Sequence, residues 1–274
     1  MGFIDYYLDE WHANHYPSRI LEASEGEMQV THAFALIDSP RGGKTTTQWC
    51  QDSGIKQCLT IEEVINACDG LIVLSPDDCQ LHEQLCEKPL KCGKPVYVDK
   101  TFAPDLETAR RIFDIAKESA TPCYSTSALR FAKEYEGIDK SKIKSICSWG
   151  PGAFENYSIH QLEPLMMLMD CPARRVMSMI GECWVSLMVE FTDGRCATVS
   201  CYENGAPFEM NLCMEGGNQI VTVNSDFFEA FIAHLVNFFK SKNVPVSQEE
   251  TLQIMALRGA SVQAIANPFT WVKI

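Results

Sequence analysis

From Gly70 to Phe131 the chain alternates short apolar runs with amphipathic ones, and that alternation leaves few folds open. Gly70–Ser75 (GLIVLS) is almost wholly apolar and ends in a polar turn, as expected of a strand buried on both faces. Pro76-Asp77-Asp78 opens a helix expected over Cys79–Lys91, which Cys92-Gly93-Lys94 closes. Pro95–Val98 (PVYV) is a second buried strand and delivers Asp99-Lys100-Thr101 to its C-terminal edge. Asp105–Ser119 is an amphipathic helix with an aspartate at its cap, and Pro122–Thr126 is a third strand leading to Ser127. Strands and helices joined this closely imply parallel strands and right-handed crossovers. Such sheets bind ligands at the carboxyl ends of their strands, where Lys100 falls.

The run Ser75-Pro76-Asp77, His82, Gly93-Lys94-Pro95-Val96-Tyr97-Val98 and Asp99-Lys100-Thr101, continuing to Leu129-Arg130-Phe131, resembles the Gfo/Idh/MocA family. That family holds the glucose–fructose oxidoreductases, the inositol dehydrogenases and their relatives. Its segment reads T-P-N…H…A-G-K-H-V-x-x-E-K-P, so Asp99-Lys100-Thr101 stands for Glu-Lys-Pro and Ser75-Pro76-Asp77 for Thr-Pro-Asn. Two extra residues separate Asp77 from His82. The resemblance implies an α/β chain. Residues 1–126 would form a Rossmann-like doubly wound parallel sheet, and residues 127–274 an α+β substrate and dimerisation domain with a mainly antiparallel sheet. It implies NAD or NADP as cofactor, contacted from Asp5, His12, Asp38, Ser75, Pro76, Asp77, Asp99 and Lys100.

The first strand and turn depart from this pattern. A dinucleotide fold opens with G-x-G-x-x-G, because glycine lets the backbone approach a pyrophosphate. Here the chain reads Gly2-Phe3-Ile4-Asp5-Tyr6-Tyr7-Leu8-Asp9-Glu10-Trp11-His12, with no further glycine before Gly26. Asp5, Asp9 and Glu10 crowd the place of two phosphates, and a like charge ~4 Å away costs about 1–4 kcal/mol. Alternatively the loop turns these side chains outward and the helix near Ala13–Ala23 offers its amides to phosphate. Glu10, His12 and His15 also raise a metal site, but a loop whose histidines cap or pack is the preferred reading, and no metal is assigned. Met28–Ile37 is the second strand; Asp38 at its end either takes the ribose hydroxyls or opens an Asp-Ser-Pro turn. Arg41 and Lys44 leave NAD and NADP both open. Gly43-Lys44-Thr45 is no P-loop, since Asp38 stands where its first glycine belongs. Helices are expected over Thr45–Asp52 and Leu59–Cys68, the second with a Thr60/Glu63 capping box.

After Phe131 the pattern changes. Ser141–Trp149 is a strand, Gly150-Pro151-Gly152 a break, and the segments from Arg174 to Val223 follow one another as strands of a second sheet, with a hairpin at Asp193-Gly194. Phe227–Lys240 and Gln248–Ala266 are helices expected to pack back on the domains. In the family a D-x-x-x-H motif faces the strand-end lysine; here Asn156 and His160 match it, with Glu163 three positions on. The resemblance assigns His160 as base and Lys100 as the cation that steadies an alkoxide. Asn156 orients the ring without charge, or serves as an N-cap. A helix N-terminus near His160 would disfavour its protonated form. Arg130, Glu163 and Tyr124 are candidates for substrate contacts, and His82 for a structural role.

A net charge of −13 argues against nucleic acid and anionic membrane as partners. Hydrophobic content of 46% suits a globular protein without a membrane span. Thirteen cysteines without a C-x-x-C pair read as reduced core residues, and acids where a secretion signal carries bases point to the cytoplasm. The leading reading is an NAD(P)-dependent oxidoreductase acting on a small molecule, a sugar, cyclitol or related polyol. The alternatives are a degenerate relative serving as a ligand-binding or regulatory protein, and one turning bound cofactor to elimination or glycoside cleavage. The apolar strands Trp184–Phe191 and Phe208–Met214 suggest a homodimer or a dimer of dimers.

Overall fold

The computed structural model describes all 274 residues, and the chain divides into two units. The first holds residues 1–126 and 231–248, the second residues 127–230 and 249–274.

In the first unit the strands are β1 (Gly2–Asp5), β2 (His32–Ala35), β3 (Lys56–Gln57), β4 (Leu71–Val73), β5 (Val96–Val98) and β6 (Cys123–Tyr124). The helices between them are α1 (Trp11–Ala23), α2 (Thr46–Ser53), α3 (Ile61–Ala67), α4 (His82–Cys86) and α5 (Leu106–Glu118). All six strands run parallel in the order β3-β2-β1-β4-β5-β6, the doubly wound order whose direction reverses between β1 and β4. Every residue of β1, β4 and β5 is buried, which accounts for their unbroken apolar runs. Ala109, Ile112, Phe113 and Ala116 line the inner stripe of α5, and Asp105 caps that helix by accepting from Thr108 N at 2.8 Å. Gly2 has a packing reason: a Cβ there would stand 2.3 Å from Val64 Cγ1, so α3 closes on β1 only over a bare backbone. Six of the cysteines (Cys50, Cys58, Cys68, Cys86, Cys123 and Cys201) are buried as small hydrophobes.

Two sequence expectations need correction here. The helix expected over Cys79–Lys91 is a 3₁₀ turn at Cys79–Leu81, the short α4, and a second 3₁₀ turn at Pro89–Lys91, because Pro89 has no N–H to continue the ladder. The Thr60 cap accepts from Glu63 N, but the Glu63 carboxylate reaches the amide of Leu59, not that of Thr60, so the box is not reciprocal.

The second unit contains β7 (Ile143–Pro151), α6 (Phe154–Met169), β8 (Ala173–Gly181), β9 (Trp184–Phe191), β10 (Cys196–Tyr202), β11 (Glu209–Met214) and β12 (Gly217–Thr222). Then come α7 (Phe227–Ser241), α8 (Gln248–Ala266) and the short β13 (Val272–Lys273). From Phe231 onward α7 belongs to the first unit, where Phe231 meets Tyr16 and Tyr97 and Phe238 meets Tyr124. The seven strands lie in the order β12-β11-β7-β10-β9-β8-β13. All neighbours are antiparallel except β7 and β10, which run parallel, so the sheet is mixed where consecutive strands alone suggest pure hairpins. The expected break at Gly150-Pro151-Gly152 comes later: β7 continues through Pro151, and Gly152 turns the chain at φ +84°. Leu187, Val189, Val199 and Leu212 point to the buried face, while Met177, Met188, Thr198, Cys147 and Asn211 form a row on the other.

Candidate functional site

The crevice beside the switch point of the first sheet is framed by the ends of β1, β4 and β5. β1 ends on Asp5, which is 1% exposed; its Oδ1 accepts from Tyr6 N at 2.6 Å and its Oδ2 has no partner. Burial, reinforced by Glu10 and Asp99, pushes the Asp5 carboxyl well above the usual carboxylate range. The chain then turns, and Glu10 becomes the N-cap of α1: its carboxylate takes the amides of His12 and Ala13. Burial raises Glu10 to about 7 against the lowering pull of His12 and the two amides. Asp9 faces outward instead, accepting from Lys44 N at 2.8 Å and from Asn14 Nδ2 at 3.2 Å.

From α1, His12 Nδ1 meets Asp99 Oδ2 at the end of β5. The Tyr16 hydroxyl donates to Asp99 Oδ1 at 3.3 Å, and the Tyr97 hydroxyl lies 3.1 Å from the same oxygen and 3.0 Å from the Thr126 carbonyl. Asp99 is 1% exposed, and although burial opposes it, the pairing with His12 holds its carboxyl down at about 2. Lys100 follows, its Nζ 3.4 Å from the Pro76 carbonyl beyond β4, so an ammonium sits at the strand ends. His82 spans the base of this loop, with Nδ1 3.0 Å from the Phe102 carbonyl and Nε2 2.7 Å from the Leu74 carbonyl, in the structural position expected of it.

Several sequence candidates sit elsewhere than expected. Asp5 and Glu10 are turned inward, and Glu10 is the acceptor for the α1 amides of His12 and Ala13, so these amides are not open to phosphate as the outward-loop alternative required. Asp38 lies three residues beyond the end of β2, exposed, with Oδ1 accepting from Thr46 N at 2.7 Å; it serves the turn into α2. Ser75 is buried at φ +82° and donates to the Asp78 carbonyl, and Asp77 pairs with Arg41 at 3.3 Å. Lys44 pairs with Asp52 at 2.8 Å, and Thr45 caps α2. Glu10, His12 and His15 do not converge on one point: His12 meets Asp99 and His15 bonds the Trp11 carbonyl at 2.6 Å. Tyr124 is wholly buried among Tyr97 and Phe238, which removes it from substrate contact.

In the second unit His160 stands in the second turn of α6, not at its N-terminus, since the helix begins at Phe154 with Ala153 at the cap position. Asn156 is therefore in the first turn and exposed, not the N-cap. The partner of His160 Nδ1 is Ser127 Oγ at 2.7 Å. Gln161 locks α6 onto the sheet by donating to the Ser200 carbonyl at 3.0 Å while accepting from Ser148 Oγ at 2.8 Å, which fixes the height of His160. Arg130 and Glu163, candidates for substrate contact, form a buried pair at 2.8 Å, and Arg130 also bonds Glu250. The Arg130 guanidinium is thereby shared between two carboxylates of the second unit.

Sequence reasoning missed Tyr16, Tyr97, Ser127 and the capping role of Glu10. Tyr16 was discoverable one helical turn after His12, and Tyr97 two residues before Asp99, on the same side of its strand.

A nicotinamide dinucleotide fits this crevice in part. The strand order, the crevice and the strand-end Lys100 suit it, but the α1 amides that would receive its diphosphate are held by Glu10, and Asp5 fills the place of the first glycine.

Residues 19–126 match the family model described as an oxidoreductase family with an NAD-binding Rossmann fold, GFO_IDH_MocA. The matched segment begins after the turn that carries Asp5 and Glu10. No curated protein matches the sequence. Among solved structures the chain is similar to apo scyllo-inositol dehydrogenase from Lactobacillus casei, at 15% identity and TM-score 0.79, covering 100% of this chain and 98% of that one. It is similar to myo-inositol 2-dehydrogenase from Lactobacillus plantarum at 13% identity and TM-score 0.79, covering 100% and 99%. The WlbA dehydrogenase from Bordetella pertussis, solved with NADH and UDP-GlcNAcA, is similar at 12% identity and TM-score 0.78, covering 100% and 98%. These likenesses establish the fold over the whole chain. The family match lies within the first unit, over residues 19–126, and takes in the Asp99-Lys100 strand end at the switch-point crevice.

Proposed function

We propose that the protein is a cytoplasmic NAD(P)-dependent oxidoreductase that interconverts an alcohol and a ketone on a sugar, cyclitol or related polyol. The observation that carries this is Lys100: an ammonium at the carboxyl end of β5, behind which Asp99 is fixed by His12, Tyr16 and Tyr97. Bound nicotinamide supplies the hydride acceptor. Lys100 holds the substrate oxygen and offsets its developing negative charge, and His160 is the base that the resemblance assigns. The His160 ring is held in the second unit by the contact of its Nδ1 with Ser127 Oγ at 2.7 Å. The inositol dehydrogenases among its structural relatives favour a polyol substrate. The test is a screen of NAD and NADP reduction over inositols and sugars. Lys100→Met and His160→Ala should each lower kcat by about 10²–10⁴-fold. Failure of every polyol to reduce either cofactor would refute it.

The Glu10 cap favours a second reading, in which the crevice serves a ligand-binding or regulatory protein without turnover. The open face of the second sheet, with Met177, Met179, Met188 and Trp149, supports a homodimer, and a monomeric mass by light scattering would contradict that.

A further inference from the structure

We propose that Glu10 stands in for a ligand phosphate and makes dinucleotide binding proton-coupled: the carboxylate must give up the α1 amides, or be neutral, before a diphosphate can take them. This rests on the reading that the chain binds a nicotinamide dinucleotide. The geometry is direct. In a doubly wound sheet the diphosphate sits on the first helix's N-terminal amides, and here those of His12 and Ala13 are already bonded to Glu10. A diphosphate placed beside an ionised Glu10 would meet a like charge in a crevice that also holds Asp5 and Asp99. The groups facing Glu10 are Asp5 from β1, His12 and Tyr16 from α1, Tyr7 from the turn and Asp99 from β5. Only His12 among them offers positive charge, and it is committed to Asp99.

Burial in this acidic setting holds the Glu10 carboxyl up at about 7, so the proton required for binding becomes scarce within the ordinary working range. Affinity should then fall about tenfold per pH unit above 7, or about 30-fold from pH 6 to pH 8.5, since each step of binding carries one proton.

The experiment is titration of the full-length protein with NADH at pH 6 and pH 8.5. Nicotinamide fluorescence reports affinity, and calorimetry in buffers of differing ionisation enthalpy counts the protons taken up. Glu10→Gln removes the charge, and Glu10→Ser gives a second neutral cap should the first fail to fold. The expected result is uptake of close to one proton in the wild type at pH 8.5, a steep loss of affinity with pH, and a flat profile in either variant. Equal binding at both pH values without proton uptake would overturn the Glu10 inference and leave the dinucleotide reading intact. Absence of NADH binding in wild type and folded variants at both pH values would overturn the dinucleotide reading, and this inference with it.

Discussion

Replacing His12 with Phe isolates what holds Asp99 in the site. The ring would keep its stacking on Tyr16, now at 5.2 Å and 14°, but would lose the contact with the Asp99 carboxylate. Asp99 is held at about 2 against an ordinary 3.8, so the net favourable interaction is on the order of 2–3 kcal/mol at roughly 1.4 kcal/mol per pH unit. That net already includes the burial cost, which stays when His12 goes. The two tyrosine hydroxyls remain, with the charge and backbone amide of Lys100, but removing one partner of a buried pair typically costs about 3–5 kcal/mol. We expect His12→Phe to lose about 3–5 kcal/mol in urea unfolding at pH 7, read as a shift in midpoint at constant slope. Because the stranded carboxylate is cheaper to neutralise in acid, the deficit should shrink at pH 5. Adding Asp99→Asn, which keeps the shape and removes the charge, should recover part of the loss. A His12→Phe protein within 1 kcal/mol of the wild type, or a double variant no more stable than the single, would refute the reasoning.

The remaining expectations concern acid, base and packing. Asp99 has a depressed carboxyl, so its stabilisation is fully present above pH 3.8 and is lost as the pH falls through about 2; Asp99→Asn should flatten that limb of an acid-unfolding curve. Glu10 has the opposite sign: raised to about 7 from 4.5, it costs nothing below 4.5 and its full penalty above 7, so Glu10→Gln should gain stability over the wild type at pH 8 that it lacks at pH 4. Arg130→Met should lower unfolding free energy by about 3–5 kcal/mol by removing the cation paired with buried Glu163 and with Glu250, and the added Glu163→Gln should restore part of it in a thermal melt. Gly2→Ala drives a methyl into Val64 Cγ1 at 2.3 Å and should cost about 1–3 kcal/mol, relieved by Val64→Ala.

The parallel sheet was legible because its strands are buried on both faces, so β4 and β5 appear as apolar runs that no exposed segment imitates. Asp105 and Thr60 marked their helix starts for the same local reason, a short oxygen-bearing side chain before an apolar stripe. What escaped was set by distance in sequence. The His12–Asp99 contact spans 87 residues, and nothing near either residue announces it. The parallel pairing of β7 with β10 likewise depends on a long return of the chain, where adjacent strands suggest hairpins. Arg130 looked like a substrate contact because a lone arginine near a strand end does; its second carboxylate, Glu250, lies 120 residues away.

The turn after β1 shows why a doubly wound sheet can survive the loss of its glycines. The fingerprint does not hold the sheet together; it clears room for a phosphate and leaves helix amides unpaired for it. Once a side chain supplies the missing acceptor, those amides are satisfied without a ligand, and the helix gains a cap. Carboxylates then accumulate at one end of the sheet and must be accommodated one by one: Asp99 by His12 and two tyrosines, Glu10 by two amides, and Asp5 by a single amide and a raised proton affinity. Fold and ligand are thereby separable in this chain. The strands fix the crevice, and the charge on Glu10 decides whether an anion can enter it.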